Sequence, residues 1–411
     1  MPSVRHHLLG TIFLIAFTQE KANASIFDKS ELKLDVKNLY IDRNFKNHDA
    51  VKSRTGSWTQ GFILQFKSGY TDTPLQLGLD LNADYAFRLD GSKARSPDGV
   101  LPAKADGSPV GQYGRLSGTM KIRHSETELR IGELHPSLPI ISYDPSRQLP
   151  TRFEGAILET REITNTTITG GKIWSITGRE SSNRENLYLW GDSPAQSSDD
   201  LTFIGASNLM ASNLTTDIYY AQLDNIYRQY YFGASYELLI RDKLKIKTDA
   251  RYYDNKELEE KTAGRIDNRS YGIKSSIAKD GHVMTLAYQR MLGKDPFPTL
   301  NNYTPAPYLV NWSALGFVKP GERSWQLRHD YDFSAQGLVG LRWTARWIEG
   351  NSISLADQSR ETERAFILSY AVQSGYFEGL GLSWMNIGVN VRGSSRYEEN
   401  RIALTYAVSL R

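Results

Sequence analysis

The sequence predicts an all-β fold, a transmembrane antiparallel up-and-down β-barrel of about 18 strands with a loop folded inward to constrict it. Three observations carry this. Many segments alternate with a period of two and run about ten residues, where strands of soluble proteins usually run about five or six. One face of each segment is apolar and tipped by Tyr and Trp, while the other carries full charges, which is costly unless water or a partner reaches them. In 411 residues there is no apolar run of 18, so no helix is long and apolar enough to cross a membrane.

The chain opens with Arg5, His6 and His7, the oily run Leu8 to Phe17, and Ala22-Asn23-Ala24 before Ser25. A basic start, a short apolar core and small residues before the cleavage point describe a secretory signal peptide over 1–24, leaving 25–411 as one barrel domain. Alternation begins at Leu32, Leu34 and Val36 and continues through Trp58, Phe62, Leu64 and Phe66. Leu75 to Phe87 is the longest case, with every odd position apolar and Asp80 and Asp84 on the other face. Leu116, Met120 and Ile122 oppose Lys121 and Arg123, and Leu129 and Ile131 oppose Arg130. Ile226, Tyr230, Phe232 and Tyr236 share a parity, and Leu244, Ile246, Ala250 and Tyr252 oppose Lys243, Lys245, Lys247, Asp249 and Arg251. Trp325, Leu327 and Tyr331 oppose Arg328 and Asp330; Leu341, Trp343 and Trp347 oppose Arg342 and Arg346. Phe366 to Val372 and Ile402 to Leu410 close the series.

Between these segments Asp280-Gly281 is a tight hairpin pair, whereas Asp90 to Gly111 and Gly293 to Gly321 are long and polar. The alternation places oily side chains in lipid and charged ones in a wet lumen, and roughly 20 to 22 residues per strand and connection gives the strand number.

Composition excludes several functions. There is no cysteine, and hence no disulfide, thiolate metal site or Cys nucleophile. Net charge is +3, too balanced to argue for nucleic acid. His48, His124, His135, His282 and His329 lack metal-ligand spacing, and no HExxH, GxSxG, Walker A or GxGxxG run occurs. Neither metal nor cofactor nor enzymatic activity is expected.

Two features stand out. The first is the lumen-side basic series Lys121, Arg123, Arg130, Lys243, Lys245, Lys247, Arg251, Arg328, Arg342 and Arg346; rows of Arg and Lys in a water-filled bore attract anions, although lumen positions are polar in any case. The second is LHPSLPIISYDPSRQLPTRFEG, Leu134 to Gly155, whose prolines and apolar anchors suit a stiff loop packed inside the barrel. Arg147 would then stand at the constriction beside Asp144 and Ser146, and the long connection Lys294 to Pro320 would close the mouth from the other side with Asp295 and Tyr303.

The stretches NLYIDRNF, WTQGFILQFKSGY, ELRIGELHPSLPIISYDPSRQLPTRFEG, GRESSNRENLY, DPFP, ERSWQLRHDYDF and AVQSG, spread in order along the chain, resemble the OprD-type substrate-specific porins of the Gram-negative outer membrane. The resemblance implies an 18-stranded barrel, monomeric with a trimer left open, surrounded by outer-membrane lipid. It implies passive uptake of small solutes, commonly ones bearing a carboxylate, such as basic amino acids or aromatic acids. SYDPSRQLP matches the family's inward third loop, which makes Arg147 the eyelet arginine. Relatives also carry a ladder of arginines on the last strands. An ungapped comparison places Ser383 and Met385 at ladder positions here; a register shift would bring Asn390 and Arg392 inward instead, and Arg392 is counted with the lumen cations on that basis. The chain ends on Arg411 where the resemblance implies an aromatic, Tyr406 being the nearest. The alternative function is a barrel acting through its outer loops as an adhesin, receptor or enzyme.

Overall fold

The computed structural model describes residues 26–411 apart from 48, 241–242, 259, 302–305, 307 and 355–358. The expected signal peptide and Tyr303 lie outside the described residues. Strands β1 Glu31–Phe45, β2 Arg54–Lys67, β3 Gln76–Asp90, β4 Gln112–His124 and β5 Thr127–Leu134 begin the wall. A small hairpin, β6 Ser137–Leu138 and β7 Ile141–Ser142, sits in the following loop. The wall resumes with β8 Arg152–Thr160, β9 Thr166–Thr177, β10 Leu201–Ala211, β11 Leu214–Leu223, β12 Tyr227–Ile240 and β13 Leu244–Glu257. It ends with β14 Asp267–Lys279, β15 His282–Gly293, β16 Arg323–Asp332, β17 Leu341–Asn351, β18 Arg360–Ala371, β19 Gly381–Val391 and β20 Arg396–Ser409. Eighteen of these form one antiparallel sheet, and β20 pairs back onto β1 with Tyr40 opposite Ile402, so the sheet closes on itself.

The period-two reading sorts the faces correctly. On β3, Leu77, Leu79, Leu81 and Tyr85 are exposed on the outside, while Asp84 (5% exposed) and Ala86 point inward and are buried. The strand itself is displaced from the expected Leu75–Phe87 and continues to Asp90. Ile226 is a correction. It lies in the tight connection before β12, where Asn225 adopts φ 59°, and is fully buried. The Asp280-Gly281 turn forms between β14 and β15 with φ 48° and 83°, values that match the right-handed twist of the flanking strands.

All the long connections (91–111, 135–151, 178–200 and 294–322) leave from the same end of the barrel, the end that in such barrels faces outward from the cell. They fold into the lumen rather than over it. Ile140 and Ile141 of one loop and Phe297 and Leu300 of another are buried with Ile173, Tyr227, Tyr231 and Tyr253 from the inner wall. The inner face of β9 to β13 is therefore partly apolar, because loops cover it; each such large side chain contributes about 1.5–3 kcal/mol on burial.

Loop 135–151 departs at a distortion in β5. Gly132 has φ 125°, and a Cβ there would stand 2.2 Å from the Gly118 carbonyl oxygen. Beyond it β5 no longer pairs with β4, and the chain turns inward. The loop then bridges opposite walls. Tyr253 of β13 donates to the Pro139 carbonyl at 3.0 Å. At the other side Gln148 donates to the Lys37 carbonyl of β1 at 3.0 Å and accepts from Thr59 of β2 at 2.7 Å. Gly61 leaves room for it, since an added Cβ would lie 2.0 Å from Gln148 Nε2.

Two outcomes follow from this anchoring. Gly132→Ala should destabilise the folded barrel by about 1–3 kcal/mol, the range for a forced left-handed non-glycine position, read as a lower denaturation midpoint in detergent; an unchanged midpoint contradicts the bend. Gly61→Val should leave the barrel folded but displace Gln148, raising mean conductance and open-channel noise in planar bilayers.

Candidate functional site

The tip of loop 135–151 is shaped by its own polar groups. The Ser146 N–H donates to Asp144 Oδ1 at 2.7 Å, and the Thr151 N–H bonds the Asp144 carbonyl at 2.9 Å. Arg115 of β4 donates to the Pro150 carbonyl at 2.9 Å. This turn carries Arg147 toward the seam where β20 meets β1, so residues from both ends of the chain surround it. Lys37 Nζ donates to the carbonyls of Pro145, at 3.2 Å, and Arg147. Arg43 Nε bonds Glu399 Oε2 at 2.7 Å, and Arg401 pairs with the other oxygen of the same carboxylate. Arg179, from connection 178–200, pairs with Asp144 at 2.5 Å.

The constriction thus gathers Lys37, Arg43, Arg147, Arg179 and Arg401 around Asp144 and Glu399. Two further carboxyl groups are near. Asp98 accepts the Val100 and Leu101 N–H groups at 2.9 and 3.1 Å, and burial raises the Glu180 carboxyl, against the pull of Arg179. Burial works against the Asp144 charge as well, but Arg179 and the Ser146 hydrogen bonds outweigh it and hold the carboxyl below its ordinary range. Arg147 has no carboxylate partner among the described residues. Its Nη1 donates to Ser146 Oγ at 3.1 Å, and its Nε is buried without a hydrogen bond. Burial, then the cations Arg401 and Arg179, push the guanidinium down to about 9, still charged at neutral pH but poorly compensated. A site like this gains most from an arriving anion.

The structure therefore brings Arg147, Asp144 and Ser146 together as the sequence suggested. Asp295 goes elsewhere. Its carboxylate pairs with Arg265 at 3.0 Å and accepts the Asp267 N–H at 3.0 Å, fixing the start of connection 294–322.

The basic series divides. Lys121, Arg123, Arg130, Lys245, Arg342 and Arg346 all face inward, but most are matched to acids on the wall. Lys121 pairs with Asp80 at 2.6 Å, Arg130 with Glu128 at 3.3 Å, Lys245 with Glu237 at 2.6 Å, Arg342 with Asp332 at 2.9 Å and Arg346 with Glu363 at 3.2 Å. Arg123 lies over the Tyr70 ring at 3.9 Å and donates to Gln76 at 2.7 Å. Lys121 and Arg130 line a cavity of about 550 Å³ on the short-turn side of the inserted loop, together with Lys67, Glu128, Glu133 and His135. His135 is held neutral there: burial and then Arg152 press its imidazole down to about 3.

Arg392 is a correction. It is exposed and follows β19 on the parity of Leu382, Trp384 and Asn390, which face out. The inner face of β19 is Ser383, Met385, Ile387, Val389 and Val391, so the ungapped register holds. Ala314 and Leu315 pack on its apolar part, and Glu363 accepts from the Leu315 N–H at 2.9 Å.

Lys37, Arg43, Arg179 and Arg401 were not singled out by sequence reasoning. The inward parity of Lys37 and Arg401 was available, but their meeting requires the closure of β20 on β1, which no local pattern announces.

Comparison with known proteins agrees with this architecture. The sequence matches the profile described as outer membrane porin, OprD family, over residues 24–410. The porin-like protein GalP of Pseudomonas putida is 31% identical over 408 residues, 98% of each chain. The crystal structure of Pseudomonas aeruginosa OccK9 (OpdG) superposes with a TM-score of 0.91 at 35% identity, covering 94% of this chain and all (100%) of that one. That of Pseudomonas aeruginosa OpdK with vanillate gives 0.88 at 27% identity, covering 93% and 100%. These relatives are channels rather than enzymes. With its closed 18-strand wall and its inserted loop, the chain belongs to the OprD family of outer-membrane porins and is a substrate-specific channel of the outer membrane.

Proposed function

We propose that this porin takes up small carboxylate-bearing nutrients, aromatic acids and amino acids among them, and that Arg147 at the eyelet is the group that receives the carboxylate. The observation that carries this reading is the imbalance at the loop tip. Arg43 and Arg401 share Glu399, and Arg179 holds Asp144, but among the described residues Arg147 and Lys37 have no carboxylate of their own. Wall cations such as Lys121, Lys245 and Arg346 are already neutralised by neighbours, so they shape the field without offering a comparable vacancy in charge. The vanillate named with OpdK is an aromatic carboxylate, which is consistent with such a preference in a relative.

Selective passage needs attraction enough to draw the solute in and little enough to let it leave. One under-compensated guanidinium beside several paired ones meets that requirement: an exchange of Arg147 from Ser146 to a passing carboxylate breaks no ion pair. Asp144 and Ser146 set the angle of the tip, and Asp144 disfavours a second negative charge on the solute. A single chain is the working unit in this reading, since its wall and constriction come from its own strands and loop.

Arg147→Ala should slow liposome swelling by monocarboxylates about ten-fold, the loss of one charge-assisted contact, while the corresponding neutral amides pass at the wild-type rate. Equal effects on acid and amide would contradict the assigned role. Arg147→Lys should retain part of the acid preference, because the charge survives while the planar fork is lost.

A further inference from the structure

Arg392 is not alone on the outside of the barrel. The outward faces of β18, β19 and β20 change character toward the loop end, where β3 stays apolar from Leu77 to Phe87. Above Phe366 come Arg364, Thr362 and Arg360; above Trp384 come Asn386, Asn390 and Arg392; above Ile402 come Asn400, Glu398 and Arg396. Two of the four arginines are satisfied: Arg360 pairs with Glu349 at 2.8 Å, and Arg364 grips Glu398 at 2.7 and 2.8 Å with Asn386 at 2.8 Å. The side chains of Arg392 and Arg396 have no ion-pair or hydrogen-bond partner among the described residues. A cavity of about 360 Å³ opens here on the outer surface, lined by Trp347, Arg360, Thr362, Asn390 and Arg392.

We propose that this outward patch binds the phosphorylated sugar headgroup of an outer-leaflet glycolipid, lipopolysaccharide, with Arg392 and Arg396 on its phosphates. The placement argues for a lipid rather than a solute, because the site faces away from the lumen and sits directly above an apolar strip of Phe366, Leu368, Trp384 and Ile402 that suits acyl chains. Guanidinium groups bind phosphate through paired N–H donors, and cations beside a bilayer collect anionic headgroups. Arg364, locked by Glu398 and Asn386, forms the floor between headgroup and tails.

Native mass spectrometry of the barrel in detergent, titrated with bisphosphorylated lipid A, tests this. The Arg392→Gln/Arg396→Gln variant should bind at least about ten-fold more weakly, with monocarboxylate uptake in liposomes unchanged. On the wild-type protein, dephosphorylated lipid A should bind equally weakly, a result that does not depend on any variant folding. Undiminished binding by the double variant, equal binding of the dephosphorylated lipid, or inorganic phosphate competing at the same concentration as lipid A would each overturn the assignment.

Discussion

Inside a bilayer a backbone N–H or C=O has no water to bond, so every one of them must find a partner within the protein. For a chain without a long apolar helix the solution is a sheet without edges, and here it is completed by the ladder between β20 and β1. That closure does more than seal the wall. It sets Arg401 and Glu399 beside Lys37 and Arg43, groups separated by most of the sequence, and so builds one side of the constriction from residues with no local relation. Above Gly132, where β5 stops pairing with β4, the chain leaves the wall to supply the other side.

Charge inside the lumen obeys a second constraint. A buried or half-buried ion is costly unless paired, and the wall meets this by placing acid and base on adjacent inward positions, Arg328 with Asp330 at 2.7 Å and Arg251 with Asp249 at 3.3 Å, or by reaching across strands, Arg152 of β8 with Asp84 of β3 at 2.7 Å. Such pairs stiffen and wet the wall but leave little net field. In the proposed reading, selectivity arises where matching is incomplete, at the tip that the inserted loop brings to the β20–β1 seam. The apolar inner face of β19, with Ile387, Val389 and Val391, shows a different use of the lumen wall: it holds the 294–322 connection in place.

Much of this was legible in the residues themselves. Alternation on β3, β13 and β17 assigned inside and outside correctly because each strand is long enough for parity to be unambiguous. The prolines of Leu134 to Gly155, with Leu138, Ile140 and Ile141 as apolar anchors, announced a packed loop, and SYDPSRQLP placed Arg147 at its tip. What was not legible has a common cause. Arg392 follows the last residue of its strand, where parity has no continuing pattern to fix it, and a shift of register by one residue exchanges inside for outside. Asp295 was grouped with the eyelet by loop composition, whereas its position depends on Arg265 in another connection. Lys37, Arg179 and Arg401 meet only after the sheet has closed and two loops have folded inward.

On the proposed reading, an under-neutralised cationic constriction, rather than the width of the pore alone, governs what passes. Reversal potentials of single channels under a potassium chloride gradient test it most directly. The expected result is a preference for chloride that weakens as salt approaches 1 M, where charges are screened beyond about 3 Å. A preference for potassium, or a chloride preference indifferent to salt, would contradict it.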